Sequence, residues 1–238
     1  MNKYPWLVRL SEVNKPERTL CGGTLVASKY VITACHCTYE YDKVTQTSII
    51  RKYLPADLLV IIGDYRKDKL NETGREKRIK VKNIKRHHEY EKNQPVPYES
   101  TLNNGYDIAV LELWEEVELT EYSPACLAKQ TEGTRFNGKR AFAYGWGKTA
   151  NPSVTWPWPK SPNYPSEIEL RIGSSSCVDL AEKKPDAMIR QAQEPRTLCA
   201  GLDEAVETVQ AGICSVSKYY CKNLSIYHLL KQKPIQHI

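Results

Sequence analysis

A histidine lies between two cysteines in the stretch VITACHCTYEYD, which runs from Val31 to Asp42. The chain contains only five histidines, and this one, His36, follows a short apolar run typical of a strand. Three interpretations are open. Cys35, His36 and Cys37 could ligate a metal ion, or His36 could be an ordinary loop residue. Alternatively, His36 is a general base whose position is fixed by a disulfide through Cys37.

The cysteine spacing argues against a metal centre. The eight cysteines form no Cys-x-x-Cys pair, whereas zinc sites usually show paired ligands about two to four residues apart. Consecutive residues of an extended chain point to opposite faces, so Cys35, His36 and Cys37 would converge poorly on one ion. Cysteines spaced along a β-rich chain favour disulfides formed in an oxidising compartment. We therefore expect no metal and no cofactor.

A carboxylate stands at the start of another apolar run. Asp107 enters the segment DIAVLEL, where an unpaired charge would be costly. By itself it is either a turn residue at the entry to a strand or an acid that needs a partner.

Short apolar runs separated by turn residues dominate the chain, a pattern typical of an all-β sandwich or barrel. The segment from Val178 to Ala192 could hold a short helix, broken near Pro185. The stretch from Ala150 to Pro165 contains five prolines and two tryptophans. It is either a stiff connection between two halves of the fold or a loop that contacts a partner. The candidate strands are YPWLVRL, CGGTLVA, YVITAC, LLVIIGDY, RIKVKNIKRH, DIAVLEL, KRAFAYGWG and EIELRIG.

Hydropathy and charge exclude two classes of partner. The longest apolar runs, such as LLVII, are far shorter than the roughly 20 residues of a membrane span. The net charge is +6, and the most basic stretch runs from Arg75 to His88. Charged residues there alternate with Ile79, Val81 and Ile84, which predicts a strand with a solvated face rather than a nucleic-acid patch. We expect neither a membrane nor a nucleic acid as partner.

The two ends of the sequence differ from its middle. The stretch MNKYPWLVRLSEVNK lacks the apolar core and the small-residue cleavage site of a signal peptide. No glycine follows Gly212, although barrel-forming chains use glycine at bulges and corners. Lys, Tyr, Ile and Asn become dense in SKYYCKNLSIYHLLKQKPIQHI instead. We expect an incomplete or altered sequence in which residues 202–238 form a divergent tail.

The order of these motifs resembles that of the trypsin-like (chymotrypsin-fold) serine endopeptidases. The resemblance covers roughly residues 4–201 and implies an all-β fold of two packed antiparallel six-stranded barrels, the second incomplete in this chain. Residues 1–201 would then form a trypsin-like serine protease domain. The matching segments are YPWLVRL, CGGTLVASKYVITACHC, GYDIAVLEL, YSPACLAK, AYGWGKT and TLCAG.

This resemblance also implies site residues. His36 would be the general acid and base, and Asp107 the carboxylate that fixes its tautomer. The family pattern pairs Cys21 with Cys37, and it pairs Cys177 with Cys199.

Further expectations concern two cysteines, a glycosylation site and the remaining histidines. Cys126 corresponds to a position that often bridges to an upstream pro-domain, and Cys35 replaces the usual alanine as a buried thiol. Asn71 begins the sequon Asn-Glu-Thr in a polar loop and is the more credible of two glycosylation acceptors. The remaining histidines match no catalytic element and are interpreted as surface residues: His87, His88, His228 and His237.

The nucleophile of the family is missing from the sequence. No Gly-Asp-Ser-Gly-Gly segment occurs. Aligning Cys214 with the family's cysteine puts Lys218 at the nucleophile, with Ser217 one residue early. Aligning ETVQAG with the family's DTCQGD puts Ile213 there. The glycines of the oxyanion hole and the acidic residue beside the serine are absent as well.

We therefore expect a member of the serine endopeptidase family that is inactive as written, or a fragment of an active one. The alternative is a non-catalytic homologue that acts as a secreted protein-binding module. The resemblance implies protein or peptide substrates, protease inhibitors as further partners, a monomer and an extracellular location.

Overall fold

The computed structural model describes residues 3–42, 49–72, 74–92, 106–127, 136, 138–147, 162–172 and 200–201. Within these ranges the chain is mainly β-strand, with short 3₁₀ turns at Cys35–Thr38 and Pro55–Asp57 and a short helix α1 at His88–Lys92. No helix among the described residues is both long and apolar enough to cross a membrane. The strands are β1 Leu7–Glu12, β2 Lys15–Ala27, β3 Tyr30–Thr33, β4 Tyr39–Tyr41, β5 Ile49–Lys52, β6 Leu58–Ile62, β7 Lys77–Arg86, β8 Ala109–Leu113, β9 Arg140–Gly145, β10 Ser166–Ile172 and β11 Ala200–Gly201.

Six strands close into a barrel in the order β1-β2-β3-β8-β7-β6. Every neighbouring pair is antiparallel, and the pairing of β1 with β6 closes the ring. The interior is filled by branched apolar side chains from several strands, among them Val8, Leu25, Val60, Val81 and Leu111. The all-β class predicted from the sequence is confirmed.

Strand β7 shows how the sequence pattern becomes a barrel wall. Ile79 and Val81 are buried, whereas Arg78, Lys80 and Lys82 are exposed. Successive side chains of a strand point to opposite faces, so this alternation places one face in the core and the other in water. The predicted strand with a solvated face is confirmed.

A second sheet, in the order β11-β10-β9, lies beside the barrel. Leu7 of β1 shares a buried cluster with Tyr144 and Trp146, and the ring of Tyr4 stacks on Tyr144 at 3.6 Å. These contacts join the second sheet to the barrel. The described residues supply three strands of this sheet, and the remainder of the predicted second barrel lies outside them.

All eight predicted strand segments contain a strand, whereas the two-stranded sheet of β4 and β5 was not predicted. Its pattern is not apolar: Glu40 lies in β4, and Arg51 and Lys52 lie in β5. Arg51 pairs with Glu40 at 2.9 Å, a cross-strand contact that hydropathy does not reveal. The helix predicted within 178–192 lies outside the described residues.

A buried ion pair ties β1 to the end of β6. The side chains of Arg9 and Asp64 are each 1% exposed, and Arg9 Nη2 lies 2.6 Å from Asp64 Oδ2. Arg9 Nε also donates to Asp64 Oδ2, while Nη1 donates to Ser11 Oγ and to the carbonyl of Pro16. Burial raises the pKa of Asp64, and the attraction of Arg9 opposes that shift.

The residue before Asp64, in the buried ion pair, is a glycine, and the backbone at this position requires one. Gly63 has φ +76°, and a Cβ at this position would lie 2.2 Å from the carbonyl oxygen of Arg75. A side chain is therefore excluded both by backbone conformation and by space.

Replacing Arg9 by Met should lower the free energy of unfolding by about 3–5 kcal/mol, because it leaves the buried Asp64 carboxylate without a cation. Urea unfolding monitored by tryptophan fluorescence measures the change. The matched control is Arg51→Met, which removes an arginine whose side chain is 43% exposed and should cost far less. Equal losses in the two variants would contradict the structural role of the buried pair.

Candidate active site

Pairing of β3 with β8 brings the two candidate catalytic residues together. The strands are antiparallel, with Thr33 opposite Ala109. His36 lies in the 3₁₀ turn that follows β3, and Asp107 lies just before β8. The end of one strand and the start of its antiparallel neighbour meet at the same edge of the sheet, so both residues lie there.

His36 and Asp107 are joined by two hydrogen bonds. His36 Nδ1 lies 2.6 Å from Asp107 Oδ2, and the backbone N–H of His36 donates to Asp107 Oδ1 at 2.8 Å. Their side chains are 14% and 22% exposed, respectively. Because both carboxylate oxygens are engaged, the imidazole orientation is fixed through Nδ1. The other ring nitrogen, Nε2, lies 3.5 Å from Cys37 Sγ.

The charge of Asp107 is stabilised locally. Burial by itself raises the pKa of this carboxyl, but the attraction of His36 and hydrogen bonds from His36 and the Cys35 backbone outweigh burial. The net result is a pKa below the ordinary value of 3.8. Asp107 therefore remains an anion beside the imidazole at neutral pH, as an orienting carboxylate requires.

A disulfide joins β2 to the histidine turn. Cys21 and Cys37 are bonded, with a sequence separation of 16 residues. Closing a loop of this length contributes about 3 kcal/mol in the chain-entropy model. The ligand atoms of Cys21, His36 and Cys37 lie close enough to hold a metal, but the disulfide removes both thiolates that a metal would need. In this oxidised form the three residues are poor metal ligands.

Cys35 belongs to a different buried cluster from the two disulfide cysteines. It is fully buried with Tyr39, Tyr90 and Ala109, and it is a free thiol. Burial, followed by the negative charge of Asp107, raises the pKa of Cys35 to about 12. The buried thiol predicted from the sequence is present and is unreactive at neutral pH.

A second group of possible ligands lies in the loop after β6. Ligand oxygens of Asp64, Glu72 and Glu76 lie within 4.8 Å of one another. The guanidinium of Arg9 already pairs with Asp64, so a protein cation neutralises part of this acidic group.

The contact between Tyr106, which precedes Asp107, and His87 was not predicted from the sequence. Tyr106 has φ +58°, an uncommon conformation for a residue with a side chain. Its ring stacks on His87 at 4.6 Å. The sequence predicts a surface position for His87, but this residue is only partly exposed. No local pattern signals this contact, because the two residues belong to different segments.

The other residues predicted from the sequence lie away from His36 and Asp107 or outside the residues that the structure describes. Cys126 is exposed and forms no disulfide with another described cysteine, and Asn71 is exposed in the loop between β6 and β7. Cys177 and Cys199 lie outside the described residues, so their pairing stays a prediction. The two alternative nucleophile positions also lie there.

A closed antiparallel barrel carrying a histidine–aspartate pair at one edge defines the chymotrypsin-like class of all-β proteins. The sequence model of the Trypsin family matches residues 1–212. The chain therefore belongs to the trypsin family of serine proteases.

Curated relatives agree with this assignment. Mannan-binding lectin serine protease 1 of Mus musculus is 32% identical over 213 residues, which cover 87% of this chain and 26% of the relative. The Homo sapiens protein of the same name is 28% identical over 213 residues, with the same shares covered. Coagulation factor IX of Oryctolagus cuniculus is 29% identical over 152 residues, covering 63% of this chain and 46% of the relative. The chain thus matches about a quarter of the first two relatives' length.

Asp107→Asn should remove a pH-dependent part of the stability. A carboxyl whose pKa is lowered by folding stabilises the protein above its unfolded pKa, and this contribution is lost as pH falls through the folded pKa. The difference in unfolding free energy between the wild-type protein and Asp107→Asn should therefore shrink below pH 3.8. Urea titrations from pH 7 down to pH 2 measure it. Glu115→Gln, at an exposed acid beyond β8, is the control; identical pH profiles for the two variants would refute the assignment.

Proposed function

We propose that this chain is the protease domain of a secreted serine endopeptidase, whose reaction is peptide-bond hydrolysis by acyl transfer. The contact of 2.6 Å between His36 Nδ1 and Asp107 Oδ2 carries this proposal. With Nδ1 bound to the carboxylate, Nε2 is the nitrogen that accepts a proton from a serine and later delivers it to the leaving amine. His36 is the general acid and base, and Asp107 holds its tautomer and stabilises the imidazolium.

The chain as written does not complete this reaction. Its sequence contains no Gly-Asp-Ser-Gly-Gly segment, and neither alignment of the region beyond Gly201 places a serine at the nucleophile. Loss of the nucleophile from such a triad lowers kcat about 10⁶-fold. The proposed domain therefore comprises residues 1–201 with the base and the orienting acid, followed by a divergent tail at 202–238 that supplies no nucleophile.

The second candidate is a non-catalytic homologue that binds another protein. An exposed aromatic pair favours it: Tyr65 and Tyr164 contact each other edge to face at 5.3 Å, and their side chains remain 51% and 46% exposed. Arg66 lies over the ring of Tyr164 at 5.4 Å. Exposed tyrosines beside arginine are typical of protein interfaces, and Tyr164 is the second-last residue of the proline- and tryptophan-rich stretch.

The expected partners follow from the proposed reaction. They are protein or peptide substrates and protease inhibitors, with no nucleic acid and no membrane, and the domain acts as a monomer. The Cys21–Cys37 disulfide supports an extracellular location, since disulfides persist in oxidising compartments.

A phosphonate probe that labels activated serines separates an active enzyme from an inactive one. The refolded full chain should remain unlabelled under conditions that label trypsin, because no serine occupies the nucleophile position. His36→Ala is the matched control. Stoichiometric labelling that disappears in His36→Ala would show that the chain does contain a nucleophile.

Sequencing the transcript from the codon of Gly201 to the stop codon then distinguishes the two candidates. A Gly-Asp-Ser-Gly-Gly turn in the transcript would identify an active protease. A transcript that encodes ICSVSKYYCKNL would favour the binding homologue.

Asn71 should carry an N-linked glycan when the chain is secreted. Its side chain is exposed, and its Oδ1 accepts a hydrogen bond from the backbone of Glu76 at 3.0 Å, which leaves the amide nitrogen for attachment. Asn71→Gln should lose one glycosidase-sensitive mobility step on a gel, whereas Asn83→Gln, at an exposed asparagine without a sequon, should not. Unchanged mobility in Asn71→Gln would rule out this site.

A further inference from the structure

One arginine at the end of β7 binds the turn that carries His36. Arg86 Nε donates to Thr38 Oγ1 at 2.7 Å, and Nη2 donates to the carbonyl oxygens of Thr38 and Tyr53 at 3.0 and 2.6 Å. The guanidinium also lies over the ring of Tyr39, 5.1 Å from its centroid. Arg86 therefore contacts Thr38, the last residue of the turn, together with Tyr39 and Tyr53.

Thr38 connects Arg86 to the first residue of the turn through its hydroxyl group. Its hydroxyl donates to the carbonyl of Cys35 at 2.7 Å while it accepts from Arg86. The turn spans Cys35–Thr38, and no side chain caps its first residue. A 3₁₀ turn this short has little stability of its own, so contacts from elsewhere must hold it. Arg86 and Thr38 supply such contacts on both sides of His36.

The same end of β7 also holds the segment that carries Asp107. Arg86 lies opposite Ala109 in the β7–β8 ladder, and the backbone N–H of His87 donates to the carbonyl of Ile108 at 3.1 Å. The ring of His87 stacks on Tyr106. The two halves of the site are thus attached to two adjacent residues, one through a side chain and the other through the backbone.

We propose that Arg86 is a positioning residue that sets the distance and orientation between His36 and Asp107. The inference rests on the proposed function of that pair. Arg86 does not touch reacting atoms; its planar guanidinium binds two carbonyls and a hydroxyl at once, which fixes the turn at the end opposite to the strand β3. A lysine at this position would offer a point charge without that fixed fork.

Proton NMR of the full chain tests this proposal. A short hydrogen bond between His36 Nδ1–H and Asp107 should give a low-field ring N–H resonance, identified by its absence in His36→Ala and Asp107→Asn. Arg86→Met should lose or broaden this resonance, and the carboxyl ¹³C titration of Asp107 should move upward toward 3.8. Arg78→Met, at an exposed arginine of the same strand, should change neither. Thermal unfolding of each variant checks that it is folded.

The outcomes separate the positioning role from the proposed function. An unchanged resonance in folded Arg86→Met overturns the positioning role. Arg86→Lys, which keeps the positive charge but lacks the planar fork, decides the matter if Arg86→Met does not fold: an unchanged resonance in Arg86→Lys also overturns the positioning role. A resonance that persists in Asp107→Asn would instead contradict the His36–Asp107 assignment itself.

Discussion

Antiparallel pairing between β3 and β8 is the constraint on which the site depends. With Thr33 opposite Ala109, the chain leaves β3 and enters β8 at the same edge of the barrel. A slip of one residue would turn the side chains of β8 to the other face and carry Asp107 away from His36. Closure of the barrel through β1 and β6 holds this register, because every strand of the ring then has two partners.

Two acidic side chains of this barrel are stabilised in different ways against the cost of burying a charge. Asp64 is 1% exposed and paired with an equally buried arginine, yet burial still raises its pKa. Asp107 keeps 22% of its side chain accessible and receives hydrogen bonds that lower its pKa. The first pair is structural, whereas the second keeps a negative charge beside an imidazole at the edge of the barrel, where chemistry is feasible.

His36, Asp107 and the contacts that hold them come from the strands of the barrel and from its turns. The disulfide comes from β2, the histidine turn from β3, the guanidinium from β7 and the carboxylate from the entry to β8. Each of these contacts joins residues within the range 21–107. The geometry of His36 and Asp107 therefore rests on contacts within the barrel.

The sequence by itself determined the strands of the barrel, because hydrophobic alternation is local, as in β7. Motif order was sufficient to nominate His36, Asp107 and the Cys21–Cys37 bridge. Only the tertiary structure revealed the contacts of Arg86 and Arg9. Arg86 lies 48 residues from Thr38, and Arg9 lies 55 residues from Asp64. Barrel closure creates both contacts. The residues around such an arginine show the same hydropathy pattern as those around an arginine that faces water, so the sequence does not distinguish the two.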